Sequence, residues 1–165
     1  MRLLVLGATG RVGGLAVDEA LTRGHQVTVL LRSPEKLREA ASRVNVVRGD
    51  ALDPDAVASA VARQDGVLYT IGAGNVRHTT LFSESTRILL GQMQREGARR
   101  LVCVTGVGAG ETKGHGGFLY DRILYPLFTK NIYADKDRQE ALIRASGLVP
   151  APRRAHHLNA SVIVS

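Results

Sequence analysis

The chain has no tryptophan, one cysteine, three phenylalanines and four tyrosines in 165 residues. Each scarcity excludes something. With Cys103 alone no internal disulfide can form, so the expected setting is a reducing cytoplasm. Cys103 lies inside an apolar run with no activating partner beside it, and the expected role is a small buried hydrophobe rather than a nucleophile. So few rings make a poor stacking platform for single-stranded nucleic acid. The formal charge of +7 is spread along the chain, and the pairs Arg99-Arg100 and Arg153-Arg154 read as solvated surface. No nucleic-acid partner is expected. No apolar run approaches the roughly 20 residues of a membrane span, so no membrane role is expected. The opening MRLLVLGATG lacks a separate charged region and a cleavage site, and serves better as a strand than as a signal peptide. No His, Cys and carboxylate cluster has metal-ligand spacing, and no metal is expected.

What is present is alternation. Short apolar or β-branched runs at 2–6, 26–31, 44–47, 66–71 and 100–105 predict strands. Between them lie helical patterns. Residues 11–23 place Val12, Leu15, Ala16, Ala20 and Leu21 at helical spacing before the stop at Gly24. Ser33-Pro34 predicts the cap of a short helix holding Glu35 and Glu39. Asp53-Pro54 opens another, with Ala56, Val57, Ala60 and Val61 as its apolar side. Residues 81–96 offer Leu81, Phe82, Ile88, Leu89 and Met93 to a core, and 131–145 offer Ile132, Leu142 and Ile143 before Gly147. Residues 106–117 are glycine-rich and polar, a loop. Strands alternating with helices imply right-handed crossovers and a parallel sheet. The expected fold is α/β: an open, doubly wound sheet in three αβα layers, forming one domain.

Gly7, Gly10 and Gly13 are spaced G-x-x-G-x-x-G between the first strand and the first helix. Gly7 permits the sharp turn, Gly10 lets a pyrophosphate approach the main chain, and Gly13 permits close packing of the helix on the sheet. Amides at that helix start form an anion site. Thr9 offers a hydroxyl and Arg11 a charge, and Val12 completes the expected binding loop. An NAD site usually carries Asp or Glu at the end of the second strand. Here that position holds Arg32, a guanidinium suited to a 2′-phosphate. The expected cofactor is NADP(H).

The stretches GATGRVG, VTVLLRSPEKL, VVRGDALDP and LVCVTGVGAG together resemble the atypical short-chain dehydrogenase/reductases, among them the NmrA-like proteins and the biliverdin/flavin reductases. The resemblance covers residues 1–148 and implies a Rossmann-type sheet binding NADP(H). It implies Asp50 and Ala51 at the adenine, Gly72 and Ala73 along the adenosine and ribose, and Thr105 near the nicotinamide. That family usually carries Tyr-x-x-x-Lys as its proton donor, the Lys lowering the Tyr pKa. Tyr69, Tyr120 and Tyr125 lack the lysine, whereas Tyr133 precedes Lys136 by three residues, still on one side of a helix. Thr105, Tyr133 and Lys136 are therefore the catalytic candidates, although Gly106 stands where members carry a second hydroxyl. His78 and His115 read as surface groups.

After SGL the family continues into a further strand, and here VPAPRRAHHLNASVIVS follows instead. Pro150 and Pro152 remove backbone donors, which disfavours a central strand. Residues 149–165 are thus expected to be a divergent segment after a binding domain of residues 1–148, with the last strand and the substrate cover altered. The open sheet edge would then be covered by residues 161–164 or by a second subunit, which leaves homo-oligomerisation open. Two functional readings follow. The first is an oxidoreductase passing hydride from NADPH to a small-molecule acceptor such as a flavin, quinone or carbonyl compound. The alternative is a non-catalytic, NADP(H)-sensing regulatory module.

Overall fold

Strands that are apolar on both faces belong to a sheet covered on both sides, and the strands at the centre of this chain are of that kind. The computed structural model describes residues 1–72, 79–104, 130–148, 153–154 and 161–164. Strands β1 (Arg2–Leu6), β2 (Gln26–Leu31), β3 (Asn45–Arg48), β4 (Gly66–Tyr69) and β5 (Leu101–Val104) are mutually parallel. Helices α1 (Arg11–Thr22), α2 (Pro54–Val61), α3 (Leu81–Glu96) and α4 (Lys130–Ala145) flank them, with a 3-10 segment at Pro34–Arg43. The sheet order is β3-β2-β1-β4-β5-β7-β6, where β6 is Arg153–Arg154 and β7 is Ser161–Val164.

Pleating divides each central strand between two cores. Leu4 and Leu6 of β1, Leu30 of β2, and Val67 and Tyr69 of β4 pack with Val57, Phe82, Leu89, Met93 and Ile143 of α2, α3 and α4. Val5 and the β2 residues Val27, Val29 and Leu31 pack on the opposite face with Val17 and Ala20 of α1 and Leu37. This is the expected three-layer αβα arrangement. The strand order reverses between β1 and β4, so a crevice opens at the carboxyl ends of those strands, where open α/β sheets place their ligands.

The sheet edge beyond β5 is covered by this chain's own Ser161–Val164. β7 runs antiparallel, with Val102 opposite Val164, Cys103 opposite Ile163 and Val104 opposite Val162. The two-residue β6 pairs outside β7. Among the described residues no helix is long and apolar enough to cross a membrane.

Two expectations need correction. In α1 the buried residues are Gly13, Val17 and Ala20, whereas Val12 and Leu15 stand 48% and 66% exposed. The close-approach stripe of α1 runs through a glycine, which contributes no apolar side chain for periodicity to count, so the pattern pointed to the neighbouring stripe. The helix expected after Ser33 is a 3-10 segment, and Ser33 makes no side-chain cap. Leu37 and Ala41 pack that segment against the second core.

Candidate functional site

The first wall of the crevice is the turn out of β1. Gly7 has a φ of 86°, in the left-handed region, and a Cβ there would lie 2.7 Å from the Ile71 nitrogen and from the Thr70 carbonyl. Gly10 N–H donates to the Gly7 carbonyl at 2.9 Å, and Gly14 N–H donates to the Gly10 carbonyl at 2.8 Å, which begins α1. Thr70 fastens the end of β4 to this turn, since its N–H and hydroxyl both donate to the Leu6 carbonyl, at 2.9 and 2.7 Å. A Cβ on Gly13 would run into the Gly7 carbonyl and lie 2.7 Å from the Thr70 hydroxyl. The helix thus reaches the strand only because residue 13 is glycine.

Gly10 supplies no side-chain cap to α1, and the first turn has no acidic residue. Among the described residues, therefore, no carboxylate meets the positive end of the helix dipole or its first amides.

The second wall comes from β2 and β3. Leu31 lies opposite Arg48, and Gly49 N–H continues the pairing to the Leu31 carbonyl at 3.0 Å. A Cβ on Gly49 would strike the Ala56 methyl and approach Leu30 Cδ1 at 3.3 Å, so the chain turns tightly against α2. Asp50 Oδ1 then accepts from Leu52 N–H at 2.9 Å, and the Asp50 carbonyl accepts from Asp53 N–H at 3.0 Å. Asp53 in turn caps α2, with Oδ1 accepting from Asp55 and Ala56 N–H at 3.0 and 3.4 Å. The result sets Asp50 Oδ2 3.7 Å from Arg32 Nη1.

Between these walls is a cavity of about 390 Å³. Of the residues expected from sequence, Gly7, Thr9, Gly10, Arg32, Asp50, Ala51 and Gly72 all line it. Leu30, Leu31, Leu52, Ile71 and Leu81 supply its apolar surface. Gly13 supports the loop from one turn away, while Arg11 and Val12 are exposed at the start of α1 and do not line the cavity. Ala73, Thr105, Gly106, His78, His115, Tyr120 and Tyr125 lie outside the described residues. Gly49 was missed. Its readable sign was a glycine directly after an apolar strand, in VVRGD.

The catalytic candidates on α4 sit in a different environment, packed against α3. Lys136 Nζ lies 4.3 Å from the centre of the Phe82 ring, next along α3 from cavity-lining Leu81. Burial pushes the Lys136 ammonium below its usual pKa, against the attraction of Cys103, Glu140 and Asp135. Tyr133 is half-buried. The fully buried Asp135 accepts from Phe82 N–H at 2.8 Å, Ser83 N–H at 3.4 Å, the Ser83 hydroxyl and Arg138 Nη2. Gln139 donates to the Thr86 hydroxyl at 2.8 Å, and Glu140 pairs with Arg144 at 2.9 Å. Beneath them Cys103 is fully buried, its thiol pushed up to about 12 by desolvation, as befits a packing residue. Tyr69 is also buried and raised by desolvation, with its phenol 2.7 Å from the Ser85 hydroxyl. Among the described residues no group of His, Cys, Asp and Glu could hold a metal.

Chemically, an anion at Gly10 meets the first amides of a helix with no side-chain cap, a flat ring meets aliphatic walls, and a second anion meets the Arg32 guanidinium. This geometry has relatives. Residues 7–149 match the NAD(P)H-binding family. A 3-diazoavenalumate denitrifying reductase from a Streptomyces species is 38% identical over 114 residues, which is 62% of this chain and 36% of that protein. The matches span 24% to 36% of the length of three such curated relatives. ChuY, an anaerobillin reductase from Escherichia coli O157:H7, superposes with a TM-score of 0.73 at 22% identity, over 90% of this chain and 69% of that one. A short-chain dehydrogenase/reductase from Veillonella parvula, solved in complex with NADP, gives a TM-score of 0.73 at 16% identity, over 90% and 65%. At those identities the two structures speak for the fold. By fold and by sequence match, the chain belongs to the NAD(P)H-binding family of Rossmann-type proteins.

Proposed function

We propose that the cavity binds NADP(H) and that the chain is an oxidoreductase which passes hydride from NADPH to a small-molecule acceptor, a flavin, quinone or carbonyl compound. The observation that carries the reading is one cavity with two anion-attracting features, the uncapped start of α1 and Arg32. In this reading the amides of Arg11, Val12 and Gly13 receive the pyrophosphate beside Gly10, with the Thr9 hydroxyl assisting. Arg32 receives the 2′-phosphate. Asp50 and Ala51 flank the adenine, Gly72 and Ala73 follow the ribose, and Thr105 stands at the nicotinamide. The reactive hydride belongs to the bound cofactor. The protein contributes position and electrostatics. In this reading Lys136, an ammonium partly stripped of water beside Phe82, holds a proton or a ribose hydroxyl at that end, with Tyr133 one turn away. The reductase named among the relatives fits this chemistry. Action in the cytoplasm, and self-association, belong to the same proposal.

A second reading, an NADP(H)-sensing module without turnover, is favoured by the fate of the tyrosines. Tyr69 is sealed in the core with Ser85, and Tyr133 lacks the usual four-residue spacing to its lysine.

Titration with NADPH and NADH, followed by nicotinamide fluorescence, tests the binding; NADPH oxidation with a panel of flavins, quinones and aldehydes tests the reaction. NADPH should bind about tenfold or more tightly than NADH, and Arg32→Asp should reverse the order. Tighter binding of NADH by the unaltered chain would remove the role given to Arg32. Tight NADPH binding with no turnover on any acceptor would leave the sensing module standing.

A further inference from the structure

We infer that Asp50 sets how strongly the site prefers NADP(H) over NAD(H), by occupying one edge of the Arg32 guanidinium. This rests on the reading that Arg32 receives the 2′-phosphate. Both side chains line the cavity, and Asp50 is the ion partner that Arg32 has among the described residues.

The two partners are held very differently. Asp50 is fixed. Its Oδ1 is engaged by Leu52 N–H, its carbonyl by Asp53 N–H, and the turn is locked where Gly49 packs against Ala56. Arg32, by contrast, is 80% exposed on a long flexible stem. The position of the pair is therefore dictated by the carboxylate, and the guanidinium comes to it.

A 2′-phosphate must then share that guanidinium with a carboxylate that cannot withdraw. The two anions also repel each other across the cation. NADH carries no such phosphate and meets a nearly neutral pair. Asp50 accordingly lowers affinity for the phosphorylated cofactor selectively, which narrows the preference that Arg32 alone would give. The separation of 3.7 Å and the exposure of Arg32 make this a modest, salt-sensitive effect.

The test is the ratio of NADH to NADPH dissociation constants in the unaltered chain, Asp50→Asn, Arg32→Ala and the double variant, with 5′-ADP and 2′,5′-ADP as fragment probes. Asparagine keeps an oxygen for Leu52 N–H, so the turn survives. Any contact of residue 50 with the adenine affects both cofactors alike and cancels in the ratio. Asp50→Asn should raise the ratio about threefold at low salt, less at high salt, and by clearly less in the Arg32→Ala background, where only direct repulsion between the carboxylate and the phosphate remains. An unchanged or lowered ratio in Asp50→Asn, while Arg32→Ala lowers it, overturns the inference and leaves the role of Arg32 intact. A rise of the same size without Arg32 also overturns it, because Asp50 would then act independently of the guanidinium. If Arg32→Ala leaves the ratio unchanged, the reading of Arg32 falls first and the inference with it.

Discussion

The starts of α1, α2 and α3 all follow a strand at the carboxyl end of the parallel sheet, yet they are finished in opposite ways. Helix α2 begins on its own carboxylate, Asp53, which accepts two first-turn amides. Helix α3 begins on a borrowed one, since Asp135 of α4 takes the Phe82 and Ser83 amides from 53 and 52 residues away. Helix α1 begins on Gly10 with no side-chain cap and no acid in its first turn. The same dipole faces all three ends. On the proposed function, the difference separates the ends that are structural from the one that receives the cofactor. At α2 and α3 an internal carboxylate already engages first-turn amides, and at α1 the glycine before the helix lines the cavity.

Breaking the borrowed cap should have the largest effect on stability. Asp135→Ala leaves two buried amides without their acceptor and takes one of two acceptors from the Ser83 hydroxyl, and should cost about 3 kcal/mol in urea unfolding. Cofactor affinity should be nearly unchanged at temperatures where the variant remains folded. Asp53→Ala removes an exposed cap of ordinary kind and should cost about 1 kcal/mol. Gly10→Asp does the converse, giving α1 a capping carboxylate of its own. Residue 10 already has a φ of −80° and ψ of 164°, ordinary for a capping aspartate, and its Cβ would meet just the Gly7 carbonyl, at 3.2 Å. Stability should stay within about 0.5 kcal/mol of the unaltered chain, while NADPH affinity falls more than about tenfold. A Gly10→Asp variant that still binds NADPH tightly would break the comparison at its centre.

The sequence made local features legible. Apolar runs placed all five parallel strands to within a residue or two, and the start of α2 was readable because Asp53-Pro54 acts within one turn. The span of α3 was readable from its spacing. The glycine loop was legible for the same reason, each glycine answering a steric demand from nearby backbone. Features made by distant partners were not. Asp135 looked like one more polar residue of α4, and no periodicity announces that a carboxylate will cross to another helix. The inner face of α4 carries Asp135, Gln139 and Glu140, all buried, and a search for apolar spacing passes over such a face. The nearness of Arg32 and Asp50 depends on the pairing of β2 with β3, and the cover over β5 on the pairing of β7. Val12 and Leu15 misled because a packing stripe that includes glycine is silent in hydropathy.

The most direct measurement is the movement of backbone amide resonances on adding NADPH. The account predicts large shifts at Gly10, Arg11, Val12 and Gly13, at the open start of α1. It predicts small ones at Asp55 and Ala56 of α2 and at Phe82 and Ser83 of α3, whose amides already have carboxylate partners. Saturable shifts centred on α2 or α3, with the first turn of α1 unmoved, would contradict it.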